Sequence, residues 1–137
     1  MQTFLPYPDF AASAKTLDMK RLGKQRVETL QILKTVTGRS VGWQNHPATK
    51  MWKGHAPALL SYGLAVCDEW LSRGYKDTCR EKMLDLQSLG RDVVLPSWVG
   101  DPALHASHRS NLLRKDPAWY GKWGWLEGPD LPYVWPI

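Results

Sequence analysis

Cysteine is scarce: the 137 residues hold two, Cys67 and Cys79, which lack the Cys-x-x-Cys spacing of a zinc site and are too few for a disulfide framework. Both read as reduced thiols. No apolar run approaches the ~20 residues needed to cross a bilayer, and Met1-Gln2-Thr3-Phe4-Leu5-Pro6 is too short and too proline-interrupted for a secretory signal. The expectation is a protein of the cytoplasm with no membrane partner. The chain also lacks a Gly-x-x-x-x-Gly-Lys-Ser/Thr loop and a Gly-x-Gly-x-x-Gly turn, which argues against nucleotide hydrolysis. There is no internal repeat and no low-complexity linker.

What the chain does have is enough apolar material for a core, 43% hydrophobic residues beside an ordinary 23% charged. One domain over residues 1–137 is expected, since single domains hold roughly 100 to 200 residues. The formal charge is +5, and its placement is uneven. Residues 15–39 hold seven basic side chains, Lys15, Lys20, Arg21, Lys24, Arg26, Lys34 and Arg39, against Asp18 and Glu28 alone. This one segment matches the excess of the whole chain.

The same segment reads as the first long helix. Leu22, Arg26, Leu30, Leu33 and Thr37 recur at helical spacing from about Asp18 to Thr37, and Gly38 follows as a stop. On it Arg21, Lys24, Gln25, Glu28, Gln31 and Thr35 form one polar stripe whose single acid is Glu28. Such a stripe suits a phosphate backbone with chemistry at one sugar: cations neutralise phosphates and the carboxylate stabilises a cationic centre or moves protons there. It equally suits a solvated face with a Lys24–Glu28 ion pair worth a few tenths of a kcal/mol.

The remaining elements follow from punctuation. Pro6, Pro8 and Ala11-Ala12-Ser13-Ala14 suggest an extended N-terminal segment over residues 1–16. A short helix starts near His46-Pro47, a buried central helix follows Pro57 as far as Arg73, and a capping box at Thr78 to Glu81 starts a helix running to about Leu89. Val93-Val94-Leu95 is the best strand candidate, although three apolar residues beside Pro96 cannot make a sheet alone. Asp101-Pro102 begins a helix that ends at Lys115, before Asp116-Pro117. The fold class is therefore all-α.

The last 19 residues place Trp119, Tyr120, Trp123, Trp125, Tyr133 and Trp135 among glycine and proline. They either pack on the body or stand ready to stack on something flat, and Trp119-Tyr120-Gly121-Lys122-Trp123 alternates rings with Gly and Lys as a DNA-facing segment would. His105 and His108 fall on one helix face, but no carboxylate or thiolate completes a metal site and Arg109 puts a fixed cation beside them. These histidines, with His46 and His55, read as caps, partners of buried polar groups or phosphate contacts.

Several pieces, in order, resemble the pyrimidine-dimer DNA glycosylases of the phage endonuclease V type, and more closely a bacterial branch of that family. They are Leu17-Asp18 through Arg21-Leu22 to Glu28, Trp52-Lys53-Gly54-His55, Arg73-Gly74-Tyr75-Lys76-Asp77-Thr78, His105 through Lys115, and Asp116-Pro117-Ala118-Trp119-Tyr120. The resemblance spans nearly the whole chain. It implies an N-terminal segment threaded between helices, with its terminal amine near the acid of the first helix. That amine is the family's nucleophile, displacing the damaged base at C1′ and forming a Schiff base that β-elimination resolves into a cut strand. An α-amine titrates near 8 as a class, against about 10.4 for a lysine, so a useful fraction is neutral and nucleophilic at neutral pH.

Carried onto this chain, the resemblance makes Met1 and Glu28 the catalytic pair, because the bulky Gln2 hinders removal of Met1. Gln2 stands where the phage enzyme has an arginine, and Gln31 where a further site arginine is expected. The expected DNA contacts are Gln2, Arg21, Lys24, Gln25, Arg26, Gln31, His55, His108, Arg109, Arg114, Lys115, Trp119, Tyr120, Lys122 and Trp123. The partner is double-stranded DNA bearing a damaged base or an abasic site, met by a monomer near the nucleoid of a bacterial cytosol. Schiff-base chemistry requires neither cofactor nor metal. Two other readings stay open: a non-catalytic lesion- or structure-specific DNA-binding protein, and a helical module whose Trp-rich tail binds protein.

Overall fold

The computed structural model describes residues 1–86 and 93–137, and no strand occurs among them. In chain order the helices are α1 (Phe10–Thr16), α2 (Met19–Val36), α3 (Pro47–Lys50), α4 (Ala56–Ser72), α5 (Cys79–Leu84), α6 (Pro102–Lys115) and α7 (Pro117–Tyr120), with a 3-10 turn over Gly121–Trp123. From the N-cap position, aspartate side chains cap four of them, Asp9 on α1, Asp18 on α2, Asp101 on α6 and Asp116 on α7. Each carboxylate satisfies an amide that the first helical turn leaves unpaired. Pro47, Pro102 and Pro117 occupy first-turn positions, where a missing N–H costs nothing.

The long helices α2 and α4 pack together because both present aliphatic stripes: Leu22, Leu30, Ile32 and Leu33 from α2, and Leu59, Tyr62 and Val66 from α4, all buried. Burying each such side chain stabilises the fold by roughly 1.5–3 kcal/mol. At their crossing, a Cβ added to Gly63 would meet Met83 Sδ at 2.5 Å and Thr29 Cγ2 at 3.0 Å, so glycine lets α2, α4 and α5 converge. Trp52 and Trp98 meet edge to face at 4.8 Å and close the core beneath α3. No helix among the described residues is long and apolar enough to cross a membrane.

Residues 2–5 run through the interior without a regular partner. Gln2, Thr3, Phe4 and Leu5 are all buried, so their backbone groups need partners within the protein. Side chains supply them. Gln25 Oε1 accepts from Phe4 N–H at 3.0 Å and Gln25 Nε2 donates to Gln2 O at 2.6 Å. The Tyr62 hydroxyl lies 2.9 Å from Phe4 O and 2.6 Å from Gln25 Oε1, and Trp52 Nε1–H donates to Thr3 Oγ1 at 2.9 Å.

The i, i+3 pair on α6 holds the next peptide. His108 Nδ1 accepts from Leu5 N–H at 2.9 Å, and His105 Nδ1 sits 2.7 Å from Leu5 O. Since His105 Nε2 accepts from Gly100 N–H at 2.8 Å, the proton of neutral His105 is on Nδ1 and is donated to Leu5 O. Burial pushes the His108 pKa down to about 3, with the neighbouring His105 adding to the shift. Two imidazoles thus do for one peptide what a neighbouring strand would do.

Four local expectations change. The segment before residue 17 is not extended throughout: Asp9 caps α1, where the alanines suit a helix. Thr78 makes no side-chain cap on α5. Asp77 does so instead, accepting from Cys79 and Arg80 N–H at 3.2 and 2.8 Å. Helix α5 ends at Leu84, and residues 87–90, over which it was expected to continue and stop, lie outside the described residues. Val93, Val94 and Leu95 are exposed, irregular backbone, and no strand among the described residues pairs with them.

Candidate active site

Helix α2 begins at the Asp18 cap and points its polar stripe into a cleft of about 310 Å³. The cleft is lined by Met1, Gln2, Phe4, Lys20, Arg21, Lys24, Gln25, Glu28, Lys115 and Tyr133. The buried N-terminal segment forms its floor. Because Gln25 fixes Gln2 and Phe4, the Gln2 N–H comes to 3.4 Å from Glu28 Oε2, and Met1 lines the same cleft one residue away. No ion pair joins Glu28 to Lys24.

Positive charge is concentrated around this carboxylate. The Lys115 pKa lies below the usual lysine value because of partial burial and repulsion from Arg21, Arg114 and Lys24. Cations crowded in this way favour an anion among them. Arg21 is held to Asp18 at 3.2 Å. Burial works against ionisation of Asp18, but hydrogen bonds from the Tyr120 hydroxyl and Arg21 outweigh it and hold the carboxyl below its ordinary value.

Seven expected site residues meet at the cleft: Met1, Gln2, Arg21, Lys24, Gln25, Glu28 and Lys115. The others lie elsewhere. Gln31 is exposed on the next turn of α2, outside the cleft lining, and His55 is the partly buried residue that precedes α4. Arg26 turns away to pair with the buried Asp77 and lies 4.3 Å over the Trp70 ring. Arg109 binds Glu127 and Pro6 O, each at 2.6–2.7 Å, while Arg114 binds Asn111 and Pro129 O.

The expected DNA contacts at His108 and Tyr120 are corrected by their complete burial. His108 holds the Leu5 peptide, and the Tyr120 hydroxyl is 2.5 Å from Asp18 Oδ1 at the start of α2. In the tail, Trp119 Nε1–H donates to Thr16 O at 2.7 Å, and Lys122 Nζ lies 3.3 Å from the Trp119 ring centre and 5.3 Å from that of Trp123. These rings and their cation engage one another and α1.

Four residues at the site or its rim, Lys20, Phe4, Tyr133 and His46, were not among the expected catalytic or DNA-contacting residues. Lys20 extends the α2 stripe one turn back from Lys24, a spacing visible in the sequence. Phe4 and Tyr133 reach the cleft from the buried N-terminal segment and the tail, 129 residues apart in sequence, and no local pattern connects them. His46, the cap of α3, lies within electrostatic range of both the Met1 amine and Glu28. Burial and the amine's positive charge lower its pKa, and Glu28 opposes the change.

An all-α body whose cleft sets a carboxylate among Lys20, Arg21, Lys24 and Lys115 defines a helical protein with an anion-attracting site. The family model for pyrimidine dimer DNA glycosylase matches residues 1–83, more than half of the chain and the part that carries the amine and Glu28, and the chain belongs to that family. No curated protein and no solved structure matches it.

Proposed function

We propose that this protein is a DNA repair glycosylase with AP-lyase activity on damaged pyrimidines, cyclobutane dimers or a related base lesion, in double-stranded DNA. The observation that supports the reading is that Met1 and Glu28 line one cationic cleft, with Gln25 holding Gln2 and the Gln2 N–H at 3.4 Å from Glu28 Oε2. The protein acts as a monomer in the cytosol, close to the nucleoid.

In this mechanism the neutral Met1 amine attacks C1′ of the damaged nucleotide as the glycosidic C–N bond breaks, and the base leaves with its bonding pair and is protonated. Loss of the amine proton and opening of the sugar ring give a protonated imine. The negative charge of Glu28 stabilises the oxocarbenium-like sugar and then the iminium, and its carboxylate relays protons between them. Removal of a C2′ proton expels the 3′-phosphate by β-elimination, and water hydrolyses the imine to free the amine and an unsaturated aldehyde. Lys20, Arg21, Lys24 and Lys115 hold the flanking phosphates of a kinked lesion.

Borohydride trapping of the untagged protein tests this on duplexes carrying a pyrimidine dimer or an abasic site. The expected product is a covalent adduct on the Met1 amine from both substrates, abolished by N-terminal acetylation and reduced about 10²-fold or more by Glu28→Gln. Adducts at the abasic site alone would leave the lyase and remove the dimer as substrate. Tight DNA binding with no adduct on either would replace the enzyme by a recognition protein.

A further inference from the structure

A second cleft opens on the side of α2 that carries Glu28. Thr35 follows Glu28 by seven residues, nearly two helical turns, so it lies on the same face about 10 Å further along the axis. Beside it, α3 and the loop before α3 enclose a space of about 260 Å³, lined also by Gln44, Asn45, Thr49, Lys50 and Lys53. No carboxylate lines this space, and it shares no residue with the cleft of Met1 and Glu28.

Two observations suit it to an anion. Lys50 and Lys53 are exposed, and among the described residues no ion pair engages either of them. Thr49 is 3% exposed, yet its hydroxyl has no hydrogen-bond partner. A buried hydroxyl left unpaired opposes folding, and valine would fill the same volume without that cost. Core packing therefore does not account for a threonine here, whereas an oxygen acceptor entering the cleft does. Thr35 shapes the wall: its Oγ1–H donates to Gly42 O at 2.6 Å, which ties the loop to α2 just ahead of Gln44 and Asn45. The carboxamides of those two residues bring N–H donors to the rim beside the ammonium groups.

Resting on the proposed glycosylase and lyase reading, we infer that this cleft holds a terminal phosphate monoester, the 5′-phosphate end of the strand that the reaction cuts. β-Elimination breaks the C3′–O bond and the oxygen leaves with the bonding pair, so a diester of the intact strand becomes a monoester at the end of the departing one. Chemistry separates the two states. A diester is flanked by two sugars and meets a protein surface with its two free oxygens. A monoester carries about −1.5 to −2 charges near neutral pH and three free oxygens, and as an end group it enters a cleft far enough to reach a hydroxyl below the surface. Two ammonium groups, two carboxamides and one unpaired hydroxyl match that charge and those acceptors. An intact duplex offers no such end within its length, so the cleft acts after the cut and retains the severed strand.

The test uses two duplexes with a one-nucleotide gap that differ only in the strand end on one side of it, a 5′-phosphate or a 5′-hydroxyl. The parent protein is expected to bind the phosphorylated gap about tenfold or more tightly. Thr49→Val, which changes no charge, should cut this preference about threefold or more while melting no lower than the parent and binding intact duplex as the parent does. Lys50→Gln combined with Lys53→Gln should abolish it. Equal affinity of the parent for the two ends overturns the proposal, as does a preference that survives either change in full. Inorganic phosphate separates the two sources of such a group. If it raises the melting temperature of the parent but not of the double lysine variant, and the parent shows no preference between the ends, the cleft takes free phosphate and the strand-end assignment is wrong. Borohydride trapping at an abasic site is read in parallel. A parent that traps without preferring the phosphorylated end refutes the strand-end site alone, whereas one that prefers that end but never traps refutes the lyase reading and leaves the site standing.

Discussion

Two imidazoles and one amide decide where the amino terminus goes. His105 and His108 hold the backbone C=O and N–H of Leu5, and Gln25 holds Gln2 and Phe4, so a segment with no strand partner reaches the cleft in one conformation. Keeping His108 neutral has a consequence for stability. Burial places its folded pKa at about 3, against about 6.5 for a histidine in an unfolded chain. Between those values the unfolded chain binds a proton that the fold refuses. The stabilisation is fully present above about pH 6.5 and is lost as pH falls, by about 1.4 kcal/mol per pH unit for a single proton. His105, whose pKa burial also lowers, acts in the same direction. Thermal melts should therefore drop steadily from pH 7 to 4.5, and His108→Gln, whose amide oxygen can accept from Leu5 N–H without titrating, should flatten the profile. An equally steep profile for that variant would remove His108 as the cause. The sequence exposed the i, i+3 spacing of these histidines and the stripe bearing Gln25, but not their partners. Leu5 lies 103 residues from His108, and only the folded chain brings them together.

Helices were legible where their boundaries are local. Asp18 with Gly38 framed α2, and Asp101-Pro102 with Asp116-Pro117 framed α6, because caps and prolines act within a turn. Start signals failed where two side chains competed for one cap. At α5 the pattern Thr78 to Glu81 read as a capping box, yet Asp77 takes the amides of Cys79 and Arg80 and also pairs with Arg26 of α2. One carboxylate thereby caps α5 and ties it to the helix bearing Glu28. Its side chain is fully buried, and that of Arg26 retains 15% exposure. Burial opposes ionisation of Asp77, and the hydrogen bonds from Arg26 and the two amides outweigh it. The two candidate caps can be told apart by denaturant unfolding. Thr78→Ala should change stability by less than about 0.5 kcal/mol. Asp77→Ala should cost about 3–5 kcal/mol, because it leaves a largely buried guanidinium without its partner. Equal effects at the two positions would restore the threonine cap.

At the scale of the whole molecule, the +5 charge was visible in the composition and its concentration in residues 15–39 was visible along the chain. The sequence did not show how many of those cations remain available. Arg21 is engaged by Asp18 three residues away, a local pair, but Arg26 is engaged by Asp77 across 51 residues and turns from the cleft. Lys115 arrives from the far end of the chain to take a place beside Lys24. The cleft thus presents Lys20, Arg21, Lys24 and Lys115, a different set from the seven cations of the segment. Counterion release makes this difference measurable, since each phosphate neutralised contributes a slope of about −0.9 to log K against log salt. Four contacts predict a slope near −4 and a loss of affinity on the order of 10²-fold between about 50 and 200 mM salt, whereas seven would approach −6 and several thousand-fold. Undamaged duplex should give the same slope as an abasic duplex, because phosphate contacts fix position without reading the base. Fluorescence anisotropy over that salt range decides it. A slope near −4.5 would mean that Arg26 leaves Asp77 to take a fifth phosphate, and one near −6 that further cations outside the cleft also reach the backbone. A slope near zero would mean that the cleft does not hold a phosphate backbone at all, and the reading of the whole surface as a DNA interface would go with it.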